Sequence, residues 1–324
     1  MAEERETIEE QTAGGERELL ALALGPRYSI VRLLGRGGMG AVHLARDNAL
    51  QRLVAIKTLL PEYASDPERR TTFRGEALSN ARLAHPNIVP VYGVEERDGF
   101  VAMVMRYVHG PSLAYRLWKG EPMPPDEVCR ILADLASALD YAHRSRVVHR
   151  DIKPENVLLD RETGTTMLTD FGVARSASLD ALSIAQARAE QGMVRGTPHY
   201  MSPEQAAGEL ALDGRSDLYS LGVLGYLMIS GRHPFEGART VEMPSRHIAH
   251  EPIPLGEIAP GAPAEIVAII AKCLEKAPED RWSDGRVLRE SLIEAGVPLR
   301  KSTAPRVARW IKGFVSRYTP VSRR

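Results

Sequence analysis

The chain has 324 residues, 44% apolar and 26% charged, which fits a soluble globular protein of one two-lobed domain or two ordinary ones. Formal net charge is zero, so no strong global field draws nucleic acid toward it, and no nucleic-acid partner is expected. No run of 18 or more apolar residues exists, the acidic start at Met1–Glu10 is no signal peptide, and Cys129 and Cys273 make no disulfide framework, so the expected location is cytoplasmic.

The zero average hides an asymmetry. Residues 1–18 carry seven Glu against two Arg, and residues 297–324 carry eight Lys or Arg and no acid. The acidic stretch has too few hydrophobic residues to fold, and residues 1–26 are expected to be disordered, apart from a short helical turn at Leu19–Leu24 that Gly25-Pro26 ends.

Tyr28–Leu34 has the pattern of a first strand. It runs into Gly35-Arg36-Gly37-Gly38-Met39-Gly40-Ala41-Val42, a G-x-G-x-x-G-x-V turn whose backbone N–H groups can close over phosphates. A dinucleotide-binding turn uses the same glycines but needs a helix immediately afterwards. Ala41–Ala45 reads as strand, so a hairpin is expected. Val54-Ala55-Ile56-Lys57 is an apolar strand ending on a Lys; by itself such a Lys is a snorkelling surface residue. Glu68–Leu83 follows with helical periodicity and carries Glu76, and Phe100–Val108 reads as a buried strand. Asp126–His143 repeats Val128, Ile131, Leu132, Leu135, Leu139 and Ala142 at helical spacing, as a core helix does, with Tyr141 and His143 as packing or surface residues.

Beyond it stand His149-Arg150-Asp151-Ile152-Lys153-Pro154-Glu155-Asn156 and then Asp170-Phe171-Gly172. Together with the glycine turn and Lys57, this set resembles the protein-kinase signature. Gly196-Thr197-Pro198, Tyr200-Met201-Ser202-Pro203-Glu204, Asp217–Gly222, Gly231-Arg232-His233-Pro234-Phe235 and Arg281 continue the likeness, in the manner of bacterial-type serine/threonine kinases. The resemblance covers about Tyr28 to Ala295.

That resemblance implies a two-lobed α+β fold over 27–296, with a small β-rich N-lobe at 27–108 and a larger helical C-lobe at 109–296, followed by a basic tail at 297–324. It implies transfer of the ATP γ-phosphate to Ser/Thr hydroxyls of proteins, with autophosphorylation. Asp151 would accept or orient the hydroxyl, with Lys153 near the γ-phosphate and Thr197 hydrogen-bonding both. Lys57, fixed by Glu76, would pair with the α- and β-phosphates. Asn156 and Asp170 would hold Mg2+, or Mn2+ as an alternative. Gly35, Arg36, Gly37, Gly38, Met39, Gly40 and Val42 would cover the nucleotide. Ala55, Met105, Arg106, Val108 and Leu158 would surround its base, with Arg106, where a Glu is common, using its main-chain carbonyl. Glu204 and Arg281 would form a buried structural pair.

Two other readings share these residues. A pseudokinase would keep the fold as an ATP-binding scaffold, although such proteins usually lack one of the residues found here at 57, 151 and 170. A small-molecule kinase would generally lack the peptide-binding segment through Pro203-Glu204.

Kinase homodimers are a further expectation of the resemblance. In the tail, Val307, Trp310, Ile311, Phe314, Val315 and Tyr318 recur at helical spacing among Arg306, Arg309, Lys312 and Arg317. Residues 306–318 therefore suit an anionic membrane surface or a partner protein, and equally a stripe packed on the kinase lobe. For regulation, Arg150 beside Asp151 is suited to pair with a phosphate. The resemblance implies phosphate-accepting threonines six and eight residues before Thr197, but Gln191 and Ala189 stand there and cannot be phosphorylated; either Glu190 supplies a constitutive charge or Ser183 takes over.

Overall fold

The computed structural model describes residues 20, 23–37, 40–97, 100–171, 198–235 and 242–295. The Gly-rich turn tip at Gly38 and Met39, the expected site or regulatory residues Gly172, Ser183, Glu190 and Thr197, and the tail at 306–318 lie outside these residues.

The N-lobe is an antiparallel sheet built from β1 (Tyr28–Arg36), β2 (Gly40–Asp47), β3 (Arg52–Leu59), β4 (Val91–Arg97) and β5 (Phe100–Arg106), in the order β1-β2-β3-β5-β4. Strand β3 shows why the sequence builds two faces. Successive side chains point to opposite sides of a strand. Val54 and Ile56 enter a core with Ile30, Ala45, Ala102 and Val104, while Ala55 joins a separate cluster with Met105 and Val108. The first core also takes in Leu20 and Leu24, 4% and 8% exposed. The sequence reading placed both leucines outside the folded domain; their apolar side chains instead pack with Tyr28, Ile30 and Ile56 on one face of the sheet.

After a one-turn helix α1 (Pro61–Ala64) comes α2 (Pro67–Asn80). Asp66 caps it by accepting from the N–H groups of Glu68 and Arg69, with Pro67 in the first turn. Phe73 and Ala77 are buried against Val101 and Met103 of β5, which turns the face carrying Glu76 toward the sheet. The helix ends at Asn80, three residues short of the Leu83 expected from periodicity. Leu83 is apolar because it packs into the C-lobe core, not because the helix continues.

The C-lobe contains α3 (Leu113–Leu117), α4 (Pro125–Arg144), a short β-hairpin of β6 (Val157–Leu159) and β7 (Thr166–Leu168), α5 (Pro203–Ala207), α6 (Gly214–Ser230), α7 (Met243–Ala249), α8 (Leu255–Ile258), α9 (Ala264–Cys273) and α10 (Gly285–Glu294). Every residue of α6 from Ser216 to Ser230 is buried, as expected of a helix apolar nearly all round. It stops at Gly231, whose φ of 73° and close approach to the Gly120 carbonyl leave no room for a Cβ. No helix of the described residues is long and apolar enough to cross a membrane.

Three histidines lie around α7. His247 accepts or donates to the Tyr219 hydroxyl at 2.9 Å and packs edge-on to Phe235, and the His199 and His233 rings lie 5.0 Å apart. Burial pushes His233 down to about 4, and burial with the Lys276 charge pushes His247 down to about 3. Both are neutral in the fold and protonate in the unfolded chain below its ordinary value near 6.5. The unfolded state therefore binds more protons as pH falls. Stability is full above about pH 6.5 and erodes below it by roughly 1.4 kcal/mol per pH unit for each histidine. Denaturant titrations at pH 7 and pH 5 are expected to show this loss, and His247→Gln is expected to flatten the slope.

Candidate active site

The cleft between the sheet and the β6–β7 hairpin collects the charged residues. Lys57 shares the Ala55 face of β3 and so points into the cleft. Its Nζ lies 3.1 Å from Glu76 Oε1 and 3.0 Å from Asp170 Oδ1. Burial works against the Lys57 charge, but the Asp170 and Glu76 carboxylates outweigh it and hold the ammonium above its ordinary range. Burial also raises the Glu76 carboxyl, against the pull of Lys57.

The loop from His149 to Asn156, which carries the candidate catalytic Asp151, is shaped from behind by α6. Asp217 accepts from the backbone N–H of His149 at 2.8 Å and of Arg150 at 2.7 Å, and His143 Nε2 lies 2.7 Å from the same carboxylate. Burial alone would raise the Asp217 carboxyl, but these partners hold it below its usual range. They also hold Arg150 at φ 65°, a left-handed conformation that costs a non-glycine residue about 1–2 kcal/mol. Gln205 fixes the other side by donating Nε2 to the Arg150 carbonyl at 3.0 Å.

His149 is fully buried. Its Nε2 donates to the Thr169 carbonyl at 2.9 Å and its Nδ1 accepts from the Asp151 N–H at 3.2 Å, which sets one neutral tautomer. Burial lowers its pKa, in keeping with that neutral form. His149 is thus a shaping residue for the loop, with both ring nitrogens engaged.

Asp151 is the carboxylate this shaping presents. Lys153 Nζ donates to its Oδ2 at 2.7 Å, and Asn156 Nδ2 donates to its carbonyl at 2.7 Å and to Oδ2 at 3.2 Å. The Asn156 amide hydrogens are thereby directed at Asp151, which leaves Oδ1 as the atom able to ligate a cation. Thr169 N–H donates to the Asn156 carbonyl at 3.0 Å, so Asn156 and Asp170 are held on neighbouring strands of chain. Asp170 itself sits at φ 61°, with Phe171 buried beside it against the His149 ring.

Above these charges lies an apolar slot. Ala55, Met105, Val108 and Met167 are buried together, with Val42 and Leu158 packed against them. The glycine turn leads into Val42 at its edge: Gly35 and Arg36 end β1, and Gly37 N–H donates to the Gly40 carbonyl at 2.8 Å. A Cβ at Gly40 would stand 2.5 Å from the Thr58 carbonyl, so a side chain is sterically refused there, whereas one at Gly35 would meet nothing within 4 Å.

The protein kinase domain family matches residues 28–293 of the chain. The chain belongs to that family. Its kinase domain is 39% identical over 274 residues to the serine/threonine-protein kinase PknB of Mycobacterium leprae, a match covering 83% of this chain and 43% of that protein. Against the serine/threonine-protein kinase PrkC of Bacillus subtilis it is 39% identical over 264 residues, 82% of this chain and 40% of that protein. The chain thus spans less than half the length of these curated relatives. The crystal structure of the Mycobacterium tuberculosis PknI kinase domain superposes with a TM-score of 0.64 at 30% identity, over 83% of this chain and 96% of that one. Members of the family use ATP, generally with a divalent metal ion, and act on proteins.

The residues of this kinase domain fit such a group. Asn156 Oδ1 and the Asp170 carboxylate are hard oxygen donors of the kind Mg2+ prefers, and Lys57 supplies a paired cation beside them. Of the residues the sequence marked, Lys57, Glu76 and Asp170 meet in one ion-paired triad. Asp151, Lys153 and Asn156 meet in a second cluster. Val42, Ala55, Met105, Val108 and Leu158 line the slot. Arg106 is at its edge, with the side chain turned elsewhere.

Sequence reasoning missed three residues. His143, read as a packing or surface residue, supports Asp217; Gln205 holds the Arg150 carbonyl; and Thr169 accepts from His149. No periodicity marks them, because each acts through a partner between 20 and 74 residues away.

Proposed function

We propose that this chain is a serine/threonine protein kinase that transfers the γ-phosphoryl group of Mg2+-ATP to protein hydroxyls. The observation that supports this best is the double cluster: Lys57–Glu76–Asp170, which spans the cleft from β3 to the segment after β7, and Asp151–Lys153–Asn156 beside it. Phosphoryl transfer asks for positioning and charge neutralisation more than for covalent chemistry. The metal ion, when bound, neutralises charge on the phosphates. Asp151 holds the acceptor hydroxyl in line and takes its proton at a carboxylate oxygen. Lys153, already 2.7 Å from that carboxylate, places positive charge where the transferred group passes. Lys57 grips the remaining phosphates with Glu76 keeping its side chain extended.

The test is transfer of labelled phosphate from Mg2+-ATP to a generic protein substrate and to the chain itself, followed by phosphoamino-acid analysis. Phosphoserine or phosphothreonine is expected; a protein that binds nucleotide and transfers nothing would be a scaffold of the same fold.

A cytoplasmic site of action, peripheral at an anionic membrane through residues 306–318, belongs to the same proposal and rests on the basic amphipathic pattern of that segment. Full-length protein is expected to pellet with anionic vesicles more than a 1–296 truncation does. Equal pelleting ends that part of the proposal.

A further inference from the structure

Arg106 is the last residue of β5, where the sheet hands the chain to the helical lobe. Its N–H donates to the Pro90 carbonyl at 2.9 Å. Alternation along β5 sends Met105 into the apolar slot and Arg106 to the other side. There its guanidinium crosses to the C-lobe, with Nη2 2.7 Å from Asp160 Oδ2.

Asp160 follows β6, and its side chain is 0% exposed against 34% for that of Arg106. Its Oδ1 accepts from the Glu162 N–H at 2.9 Å, and its backbone closes the β6–β7 turn through Thr165 and Gly164. The carboxylate is therefore immobile, desolvated and aimed at the lobe connection. Backbone bonds run beside it: Arg161 N–H to the His109 carbonyl and Leu159 N–H to the Pro111 carbonyl, each 3.0 Å. Those tie the connection after residue 108 to the C-lobe. Arg106–Asp160 is the ion pair that ties it before that point, at the strand end that carries Met105, whose sulfur also accepts from the Thr169 hydroxyl at 3.9 Å.

We propose that the Arg106–Asp160 ion pair is an interlobe latch that positions the nucleotide: it fixes the lobe connection against the β6–β7 hairpin and so sets the width of the apolar slot. Arg106 is on this account a positioning residue through its side chain, beyond any contact its main chain makes. The inference rests on reading the cleft as the nucleotide site. A carboxylate buried this deeply resists losing its counter-charge, so parting the lobes at this edge is disfavoured before any ligand arrives. Binding is then spared the cost of ordering the slot.

The test uses the full chain, a fluorescent ATP analogue and amide hydrogen exchange without nucleotide. Arg106→Met keeps the stem and removes the charge. Asp160→Asn keeps an acceptor for the Glu162 N–H, removes the charge, and is isosteric, so it carries the test if the first variant fails to fold. Each is expected to raise the analogue Kd about tenfold, to raise the ATP KM by more than kcat falls, and to speed exchange at residues 106–111. The double variant is expected to be no worse than either single one, because the two groups act as one unit. Unchanged Kd and local exchange in both single variants, additive losses in the double variant, or faster exchange spread evenly over the chain would each overturn the latch. A wild-type chain that binds no analogue, yet loses local protection in both variants, overturns the nucleotide reading and retains the latch.

Discussion

Asp151→Asn is expected to lower kcat for phosphate transfer by roughly 100-fold or more, with nucleotide affinity changed far less. The carboxylate is oriented by Lys153 at 2.7 Å and by Asn156, and its backbone is set by the buried His149. An amide at this position accepts no proton from a hydroxyl, and with its oxygen kept on the Lys153 and Asn156 donors its NH2 group would replace the free carboxylate oxygen. Asp170→Asn is expected to fall as far by another route. It halves the negative charge that Lys57 meets and weakens the hard-oxygen ligand beside Asn156, so the loss should appear in the ATP KM as well as in kcat. Steady-state kinetics on both variants separates the two roles. Near-native turnover of Asp170→Asn with Mg2+ would remove that residue from the site.

The second large effect concerns stability. Arg281 has a fully buried side chain, and all five of its N–H hydrogens have acceptors: the two oxygens of Glu204 and the carbonyls of Arg215, Glu275 and Lys276. Burial would raise the Glu204 carboxyl, but this bidentate partner and Ser216 hold it below its usual range. Arg281→Leu strands that carboxylate in the interior, at a cost of about 3–5 kcal/mol. For a domain of this size the melting temperature should drop by about 10 °C. Adding Glu204→Leu is expected to return part of the loss, since a buried pair replaced by apolar side chains is often close to neutral. A single variant that melts with the wild type would show that the pair contributes little.

The residues proposed to touch substrate were legible because their chemistry dictates both type and spacing. Lys57 needs a strand, Asp151 and Asn156 need one loop, and each leaves a local pattern. The core helix α4 was legible for the same reason, through its apolar repeat. What escaped is contact between distant segments. Arg106 looked like a mild departure while only its main chain was considered; its side chain found a buried carboxylate 54 residues on. His143 had the spacing of a helix surface, yet α6 brings Asp217 to it across 74 residues. Leu83 extended a helical pattern although it serves a different core from Phe73 and Ala77. A repeat records which face is apolar and leaves open which neighbour covers it.

The support behind the catalytic loop also has an order in time. Chains are made from the N-terminus, and domains begin to fold as they emerge. The left-handed turn at Arg150 is held by Asp217, 67 residues later, and the segment that carries Gln205 is locked through Glu204 by Arg281, 77 residues after that glutamate. A nascent chain therefore exposes its sheet, its glycine turn and Lys57 well before anything can set Asp151 in place. Nucleotide could meet such a chain, but the loop would have no scaffold to hold it. On the proposed function, the ability to move a phosphate would be acquired last, when the helical lobe closes around its arginine.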